Sequence, residues 1–476
     1  MLEKIFKLKE NGTDVKTEVI AGLTTFMTMA YIIALNPNLL TGFTANGGQE
    51  LWNAVFLATC IASAFGTILM AFIANKPFAM SAGMGLNSFF AVVVANIATI
   101  AGVSYLEGFR AGLCIILIEG IVFIILSALN VREKIVQAIP LGVRLGISPA
   151  IGLMLLNIGF GSNAGVYSEK GGPFYAMANF FGSLTASYAK ETMGSGYPVM
   201  VLTVITMFVG LFTIVALDHK KVKGSVLYGI LTGSVIYWAG EYFVLHINPF
   251  ASLATASWLP PFKDMAALTL FKFDFNVLKS LGMFTVVTLV LTFCIIDMFD
   301  TIGTLVGTAS RANMLDENGN MPNMKEALIS DACGTVCGAL TGTSTITTFV
   351  ESASGVEAGG RTGLTSLVTG LIFLACMFIS PIAAIIPAAA TSSALIYVGI
   401  LMLQGLKNID FDDISVCVPV FIMLVAMPIS GSIGHGIGLG LIAYTIIKFI
   451  TGKAKEVSPL TLVLSILFLV KFFFAF

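Results

Sequence analysis

Apolar residues recur along almost the whole chain, in runs that polar and charged residues interrupt only briefly. A window of about 19 residues, the length that suits a helix crossing a bilayer, separates these runs into two sets. The first set lies near residues 19–40, 53–74, 78–100, 109–130, 145–161, 198–217 and 224–241. The second lies near residues 282–303, 327–341, 349–360, 363–380, 389–406, 414–429 and 431–450. The pattern predicts an all-α integral membrane protein with fourteen transmembrane segments.

Three further stretches flank or separate the two sets. Residues 1–18 carry apolar and basic side chains on different faces, which predicts either a short helix on the membrane surface or a solvated tail. Residues 242–281 form a polar and amphipathic linker, and the apolar run within residues 451–476 either spans the membrane or lies at its surface. A cytoplasmic N-terminus places most of the 25 lysines and arginines on the cytoplasmic side, so we expect this orientation and an extracytoplasmic linker.

Composition excludes several other classes of protein. Hydrophobic residues make up 57% of the chain, charged residues 11%, and the mean hydropathy is +0.94, which leaves no stretch for a large soluble domain. The net charge of -1 gives no sign of a nucleic-acid partner. All seven cysteines lie in apolar segments, where they are ordinary small hydrophobic residues, and the three histidines lack ligand spacing. We therefore expect no disulfide framework, no metal and no cofactor.

The two sets of segments resemble each other in order. GSVLYGILTGSVIY at 224–237 aligns without gaps on GSIGHGIGLGLIAY at 431–444, and FGTIL at 65–69 aligns on CGTVC at 333–337. Seven spans is an odd number, so a second copy of seven would be inverted in the membrane, as in many secondary transporters. The chain is thus predicted to divide into a first repeat at 19–241 and an inverted second repeat at 282–450.

The third and tenth segments are poor continuous helices. Gly83 and Gly85 weaken the helix after Lys76-Pro77, and TGTSTITT at 341–348 is β-branched and polar. We expect non-helical backbone near 78–85 and 342–349, packed together near mid-membrane. Such backbone is tolerated only when it is buried in protein or lines a cavity, so two facing breaks predict a polar cavity. The alternative is that the small residues only allow close helix packing.

Few ionisable residues lie within the apolar segments, and membrane carboxylates are candidates for function because their insertion is costly. They are Glu119, Asp297, Asp300, Asp331, Glu351 and Glu357. Asp297 and Asp300 share a helix face, Glu351 opens the tenth half-helix, and Asn87 follows the glycine break of the third segment. These four residues are predicted to surround a planar ligand that is rich in hydrogen-bonding groups. Asp300 can instead brace its neighbours.

The remaining candidates have structural explanations that are at least as strong. Glu119 can make a hydrogen bond to another helix, while Asp331 and Glu357 lie near segment ends, where interfacial or ion-paired roles are expected. The rings of Phe89, Phe90 and Phe349 can stack on an aromatic ligand, but in a chain with 37 phenylalanines the default for them is a lipid-facing position or packing in the core. HExxH and GxSxG motifs are absent, so no catalytic residue is assigned.

Taken together, these residues resemble the purine permeases of the nucleobase–cation symporter-2 class, in the AzgA-like branch that carries hypoxanthine, guanine and adenine. The resemblance rests on four motifs, AGLTTFMTMAYIIALNP (21–37), SAGMGLNSFF (81–90), DMFDTIGTL (297–305) and TFVESASGVEAGGRTGL (348–364). It implies a core domain of spans 1–4 and 8–11, a gate domain of spans 5–7 and 12–14, and short facing strands in spans 3 and 10. Sulfate and bicarbonate carriers share this fold, but carboxylates would repel an anion.

The resemblance also implies a function. The family's binding positions fall on Asn87, Asp297, Asp300 and Glu351, with Asp297 and Glu351 as the principal carboxylates and as candidates for proton coupling. The expected activity is proton-driven import of purine nucleobases across the plasma membrane by an elevator-like movement, and the family suggests a homodimer formed through the gate domain. A uracil or xanthine carrier, an intramembrane enzyme and sodium coupling remain alternatives.

Overall fold

The computed structural model describes residues 2–42, 46–129, 140–160, 186–254, 256–311, 314, 321–430 and 433–474. The first half of the described chain contains ten helices. They are α1 (Leu2–Phe6), α2 (Val15–Met29), α3 (Ile32–Leu40), α4 (Gly48–Leu69), α5 (Met84–Ala101), α6 (Tyr105–Ala128), α7 (Leu141–Ile158), α8 (Ala186–Met193), α9 (Tyr197–His219) and α10 (Ser225–Phe243). A π-helical turn at Met70–Ala74 extends α4. Each predicted segment of the first set therefore contains a helix.

The second half begins with two short helices in the linker, α11 (Phe262–Leu268) and α12 (Phe275–Ser280). The helices that follow are α13 (Met283–Arg311), α14 (Met324–Thr341), α15 (Ser352–Glu357), α16 (Gly363–Ala375), α17 (Ser380–Ala384), α18 (Ala388–Met402), α19 (Ile414–Ser430), α20 (Ile433–Ile450) and α21 (Pro459–Phe474). Within the described residues, nine helical stretches are long and apolar enough to cross a membrane, and three shorter apolar helices accompany them. The chain is thus a mostly helical, multi-pass membrane protein, while the count of fourteen crossings stays a prediction.

Two short strands interrupt the helices within the ranges where non-helical backbone is expected. Strand β1 is Met80–Ala82 and strand β2 is Ile346–Thr348, and both are fully buried. They pair antiparallel, with Ser81 opposite Thr347 at the centre of the register. The pair brings together two parts of the chain that are more than 260 residues apart, because the buried backbone of each strand satisfies that of the other.

Threonines at equivalent places of the two aligned FGTIL and CGTVC motifs hold the strands. The Thr67 hydroxyl on α4 donates to the carbonyl of Met80, the first residue of β1, at 3.0 Å. The Thr335 hydroxyl on α14 donates to the carbonyl of Ile346, the first residue of β2, also at 3.0 Å. Each strand is therefore fixed in the same way by the helix that precedes it.

The glycines beside these threonines meet each other. A Cβ added to Gly66 would lie 3.5 Å from the Cα of Gly334, and a Cβ added to Gly334 would lie 3.4 Å from the Cα of Gly66. Both positions also face the side chain of Ile346. The absence of a side chain at both glycines thus lets α4 and α14 approach closely beneath the strands.

The helices pack in two groups. Helices α2 to α6 and α13 to α16 surround the strands, with α14 against α4 and α6, and α16 against α2 and α4. The second group contains α7, α9, α10, α18, α19 and α20, with α7 against α18 and α19, and α9 against α10 and α18. The two groups contact each other more sparsely. One such contact joins Gly85 of α5 to Ile151 of α7, since a Cβ added to Gly85 would lie 2.8 Å from Ile151 Cγ2.

The N-terminal segment is not simply a surface helix or a solvated tail. Phe6 and Leu8 are buried and pack with Ala71 and Leu364, while the backbone carbonyl of Phe6 accepts a hydrogen bond from Asn75 Nδ2 at 3.1 Å. Leu2, Ile5 and the two residues between them stay exposed, as do Lys7 and Lys9. Both expectations for residues 1–18 are therefore incomplete, because half of the apolar face is covered by α4 and α16 instead of lipid or water.

Candidate functional site

Glu351 lies where β2 gives way to a short helix. It is the residue before α15, it is half-buried, and its Oε1 accepts a hydrogen bond from the hydroxyl of Tyr31 at 2.6 Å. Tyr31 is 2% exposed and lies in the break between α2 and α3. No hydrogen bond from another described residue reaches Oε2, so one oxygen of this carboxylate stays available to a ligand.

Helix α15 is seated closely on α2. A Cβ added to Gly355 would lie 2.0 Å from Thr25 Oγ1 and 2.9 Å from the backbone oxygen of Ala21. The Thr28 hydroxyl also lies 3.5 Å from the backbone oxygen of Glu351. The position of the Glu351 carboxylate is therefore fixed by the small residues on one face of α2.

Asp300 approaches the site from α13. It is half-buried, and its Oδ2 would lie 3.5 Å from a Cβ added to Gly83, the residue that follows β1. Asp300 is close enough to Asp331 and Glu351 to interact with both electrostatically, and no hydrogen bond joins its carboxylate to another described residue. Asp300 and Glu351 are thus two half-buried carboxylates at the ends of facing strands.

Asp297 is placed differently, although it lies only one helical turn from Asp300. It is fully buried, and the hydroxyl oxygen of Thr301 lies 3.1 Å from its Oδ1 and 2.9 Å from Oδ1 of Asp331. The same hydroxyl lies 2.7 Å from the hydroxyl of Thr347 in β2. Asp297 therefore belongs to a buried network beneath the strands.

Asn87 is also fully buried and bonds to the ends of the two strand segments. Its Nδ2 donates to the carbonyl of Ala82 at 3.1 Å, and its Oδ1 accepts from the hydroxyl of Ser344. In this structure the Asn87 amide thus holds the strands together. Of the four predicted binding residues, the structure groups Asp300 and Glu351 at the strand ends and places Asp297 and Asn87 behind them.

The other three membrane carboxylates, Glu119, Asp331 and Glu357, lie in different surroundings. The Glu119 carboxylate accepts a hydrogen bond from the hydroxyl of Thr345, in the segment before β2, at 2.8 Å. Asp331 is fully buried, because α14 packs against α4 and α6 and carries this residue into the core. Glu357 is exposed at the end of α15.

The candidate aromatic residues are part of the core. Phe89, Phe90 and Phe349 are 2%, 1% and 5% exposed, and the Phe89 ring lies 4.7 Å from that of Phe293. Of the two default explanations, core packing and not a lipid-facing position accounts for them.

Two residues that the sequence patterns do not single out complete the site. Tyr31 lies within the motif at 21–37, but nothing local shows that its hydroxyl reaches a carboxylate 320 positions away. Thr301 follows Asp297 by four residues, and this spacing places both on one helix face, which is the one signal that can identify it. No group of three metal-ligating side chains occurs among the residues that the structure describes.

Comparison with known proteins identifies the family to which the chain belongs. A model described as a permease family matches residues 16–433. The chain is 37% identical to the adenine permease AdeP of Escherichia coli, over 100% of this chain and 96% of that protein. It is also 37% identical to the guanine/hypoxanthine permease PbuO of Bacillus subtilis, over 98% of this chain and 100% of that protein.

A solved transporter structure shares the fold of this chain. The transmembrane domain of the cyanobacterial bicarbonate transporter BicA has a TM-score of 0.62 at 15% identity and covers 88% of this chain and 96% of that chain. This likeness shows a shared fold only. The relatives are transporters, so the alternative of an intramembrane enzyme is excluded. The chain belongs to the permease family, within the nucleobase–cation symporters that its sequence motifs indicate.

Proposed function

We propose that this protein imports purine nucleobases with protons. The observation that carries the proposal is the pair of half-buried carboxylates, Asp300 and Glu351, at the ends of two facing strands in a permease whose relatives are named adenine and guanine/hypoxanthine permeases. A neutral nucleobase presents ring and exocyclic N–H donors, and carboxylates accept such hydrogen bonds strongly. A bicarbonate-like anion, by contrast, would meet two like charges.

The proposed roles of the four predicted residues follow from their burial. Glu351 and Asp300 contact the nucleobase, and Asn87 supports the strands or contacts the ligand after they shift. Asp297 lies deeper and takes the coupling role that the sequence leaves open between Asp297 and Glu351. The strand pair thus separates the ligand from the proton.

The contacts of the Thr301 hydroxyl are an argument for protons as the coupling ion. A threonine hydroxyl has a single hydrogen, yet carboxylate oxygens of Asp297 and Asp331 both lie within hydrogen-bond distance of it. That one hydrogen can serve both only as a bifurcated bond, whereas a full bond to each carboxyl group forms when one of them carries a proton and donates it to the Thr301 oxygen. Two buried aspartates bridged by one hydroxyl are therefore suited to holding one proton between them.

The proposed architecture is two inverted repeats of seven spans. Antiparallel pairing of β1 and β2, the meeting of Gly66 with Gly334 and the matching bonds of Thr67 and Thr335 support a two-fold relation between the repeats. The two packing groups support a core domain of spans 1–4 and 8–11 and a gate domain of spans 5–7 and 12–14. The sparse contacts between them suit an elevator-like movement of core against gate.

The remaining parts of the proposal concern the cellular setting. We place the protein in the plasma membrane with a cytoplasmic N-terminus, surrounded by lipid. The gate domain is the proposed surface for a homodimer, which leaves the core group unhindered.

Uptake by purified protein tests the substrate. Proteoliposomes should exchange labelled hypoxanthine by counterflow, and unlabelled adenine, guanine, xanthine and uracil should be compared as competitors. Glu351→Gln should abolish high-affinity uptake, because removing one partner of a charged hydrogen bond costs about 1.5 to 3 kcal/mol. Glu357→Gln is the matched control, since Glu357 lies exposed on the same short helix. Competition by uracil or xanthine alone, or normal uptake by Glu351→Gln, would contradict the proposed site.

A disulfide tests the elevator-like movement. A Cβ at Gly85 in α5 would lie 3.9 Å from the Cβ of Ile151 in α7, within the roughly 3.5 to 4.5 Å that a disulfide needs. Oxidised Gly85→Cys/Ile151→Cys protein should therefore lose uptake and regain it on reduction. The control pair, Gly142→Cys/Val416→Cys, joins α7 to α19 within one group, where the Cβ positions lie 3.2 Å apart and reach the disulfide range after a separation of about 0.3 Å. Full uptake by the cross-linked first pair would refute the movement.

A further inference from the structure

We propose that Tyr31 is a positioning residue that orients the Glu351 carboxylate and reserves one of its oxygens for the nucleobase. The inference rests on the proposed function, since it assigns a partner to the residue that is expected to bind substrate. Tyr31 is not among the predicted binding residues, and its role is visible only in the folded structure.

The hydroxyl of Tyr31 is held by a scaffold that is independent of Glu351. Tyr31 precedes the first residue of α3, and every residue of this helix is buried. The Asn36 amide in the middle of α3 donates to Thr59 Oγ1 of α4 at 2.7 Å and to Thr343 Oγ1 at 2.8 Å. Helix α3, which begins at the residue after Tyr31, is therefore anchored to α4 and to the segment that leads into β2.

The chemistry of the contact fixes which oxygen remains for the ligand. A phenol has one hydrogen, which it gives to Oε1 of Glu351 over 2.6 Å, within the short range of charge-assisted O–H···O bonds. The bond selects one rotamer of a flexible side chain and directs Oε2 away from Tyr31. A nucleobase N–H then meets an acceptor that is already oriented, so less entropy is lost on binding.

Tyr31→Phe isolates this bond, because it removes the hydroxyl and keeps the buried ring. The KM for hypoxanthine uptake should rise about tenfold to a hundredfold, the range expected for losing a hydrogen bond to a charged group. The maximal rate should change much less, because the bond supports binding in general and not the movement of the core.

A matched control lies at the other end of the same helix. The Tyr105 hydroxyl donates to the carbonyl of Leu40, the last residue of α3, also at 2.6 Å. Tyr105→Phe removes an equally short bond without touching Glu351, so it should leave the KM unchanged. If Tyr31→Phe lowers the Tm, the increase in Tm caused by added hypoxanthine gives a second measurement, and this increase should shrink in Tyr31→Phe only.

The outcomes separate the two proposals. A raised KM in Tyr31→Phe alone supports the inference. If the wild type transports purines and Glu351→Gln abolishes uptake while Tyr31→Phe behaves like Tyr105→Phe, Tyr31 has no positioning role and the proposed function stands. If the wild-type protein neither binds nor transports purines, both proposals fail.

Discussion

Gly355→Ala tests whether the close packing of α15 against α2 determines the position of the Glu351 carboxylate. The new Cβ would lie 2.0 Å from Thr25 Oγ1 and 2.9 Å from the backbone oxygen of Ala21. The threonine side chain can rotate, although it then loses its 3.0 Å bond to Ala21, but the backbone oxygen cannot move aside. Helix α15 must therefore shift outward by roughly 1 Å to restore ordinary contact distances.

The shift acts directly on Glu351, the residue that precedes α15. A displacement of that size lengthens the 2.6 Å bond to Tyr31 to the limit of hydrogen bonding. Overpacking of this kind costs about 1 to 3 kcal/mol, so the Tm should fall and the KM for purine uptake should rise about tenfold.

A compensating substitution makes the test specific. Thr25→Ala removes the atom at 2.0 Å and leaves the contact at 2.9 Å, so the double variant should regain part of the affinity lost in Gly355→Ala. Gly196→Ala is the control, because no atom lies within 4 Å of its new Cβ. Wild-type KM and Tm in Gly355→Ala, or no recovery in the double variant, would refute the reasoning.

Three further predictions concern stability and coupling. Glu18→Ala should lower the Tm, because this buried carboxylate accepts hydrogen bonds from three backbone N–H groups and one hydroxyl at the start of α16. Losing such bonds costs about 1 to 3 kcal/mol. An unchanged Tm would contradict this prediction. Hydrogen bonds from the Thr17 backbone and hydroxyl hold the pKa of Asp14 below its ordinary value, so its stabilising effect is present near neutral pH and lost as the pH falls through the lowered pKa. Asp14→Ala should therefore lower the Tm near pH 7, and it should lower the Tm by a smaller amount near about pH 3. An equal decrease in Tm at both pH values would contradict this prediction. An inward proton gradient should accelerate purine uptake without sodium, and Asp297→Asn should weaken that response; uptake that requires sodium and ignores the gradient would overturn proton coupling.

The breaks in the two unusual segments could be predicted because local composition produces them. Glycines follow Lys76-Pro77 in one segment, and a run of threonines occupies 341–348 in the other. Neither stretch favours a helix, and the strands lie within both predicted ranges, at Met80–Ala82 and Ile346–Thr348. Their pairing register depends on packing between distant helices, which no local pattern specifies.

The roles of Asp297 and Asp300 show the limit of helical periodicity. Three residues apart, they share a broad face of α13, as the spacing predicts. They are nevertheless turned about 60° from each other, and the neighbouring helices decide which one lies at the strand ends. The network that contains Asp331 buries Asp297, whereas Asp300 stays half-buried beside Gly83.

Binding and coupling meet at one strand in the proposed mechanism. Thr347 in β2 touches the hydroxyl that bridges the two buried aspartates, and Glu351 follows four residues later on the same short stretch. In this mechanism a nucleobase that shifts Glu351 would also shift β2, and with it the Thr347 contact that helps to place the Thr301 hydroxyl between the two aspartates. A charged group at the bilayer centre costs about 2.5 to 3.5 kcal/mol, so the core crosses more easily with a proton on this network. A connection of this kind between the two sites would let a neutral solute, which adds no charge itself, make its own movement depend on a proton.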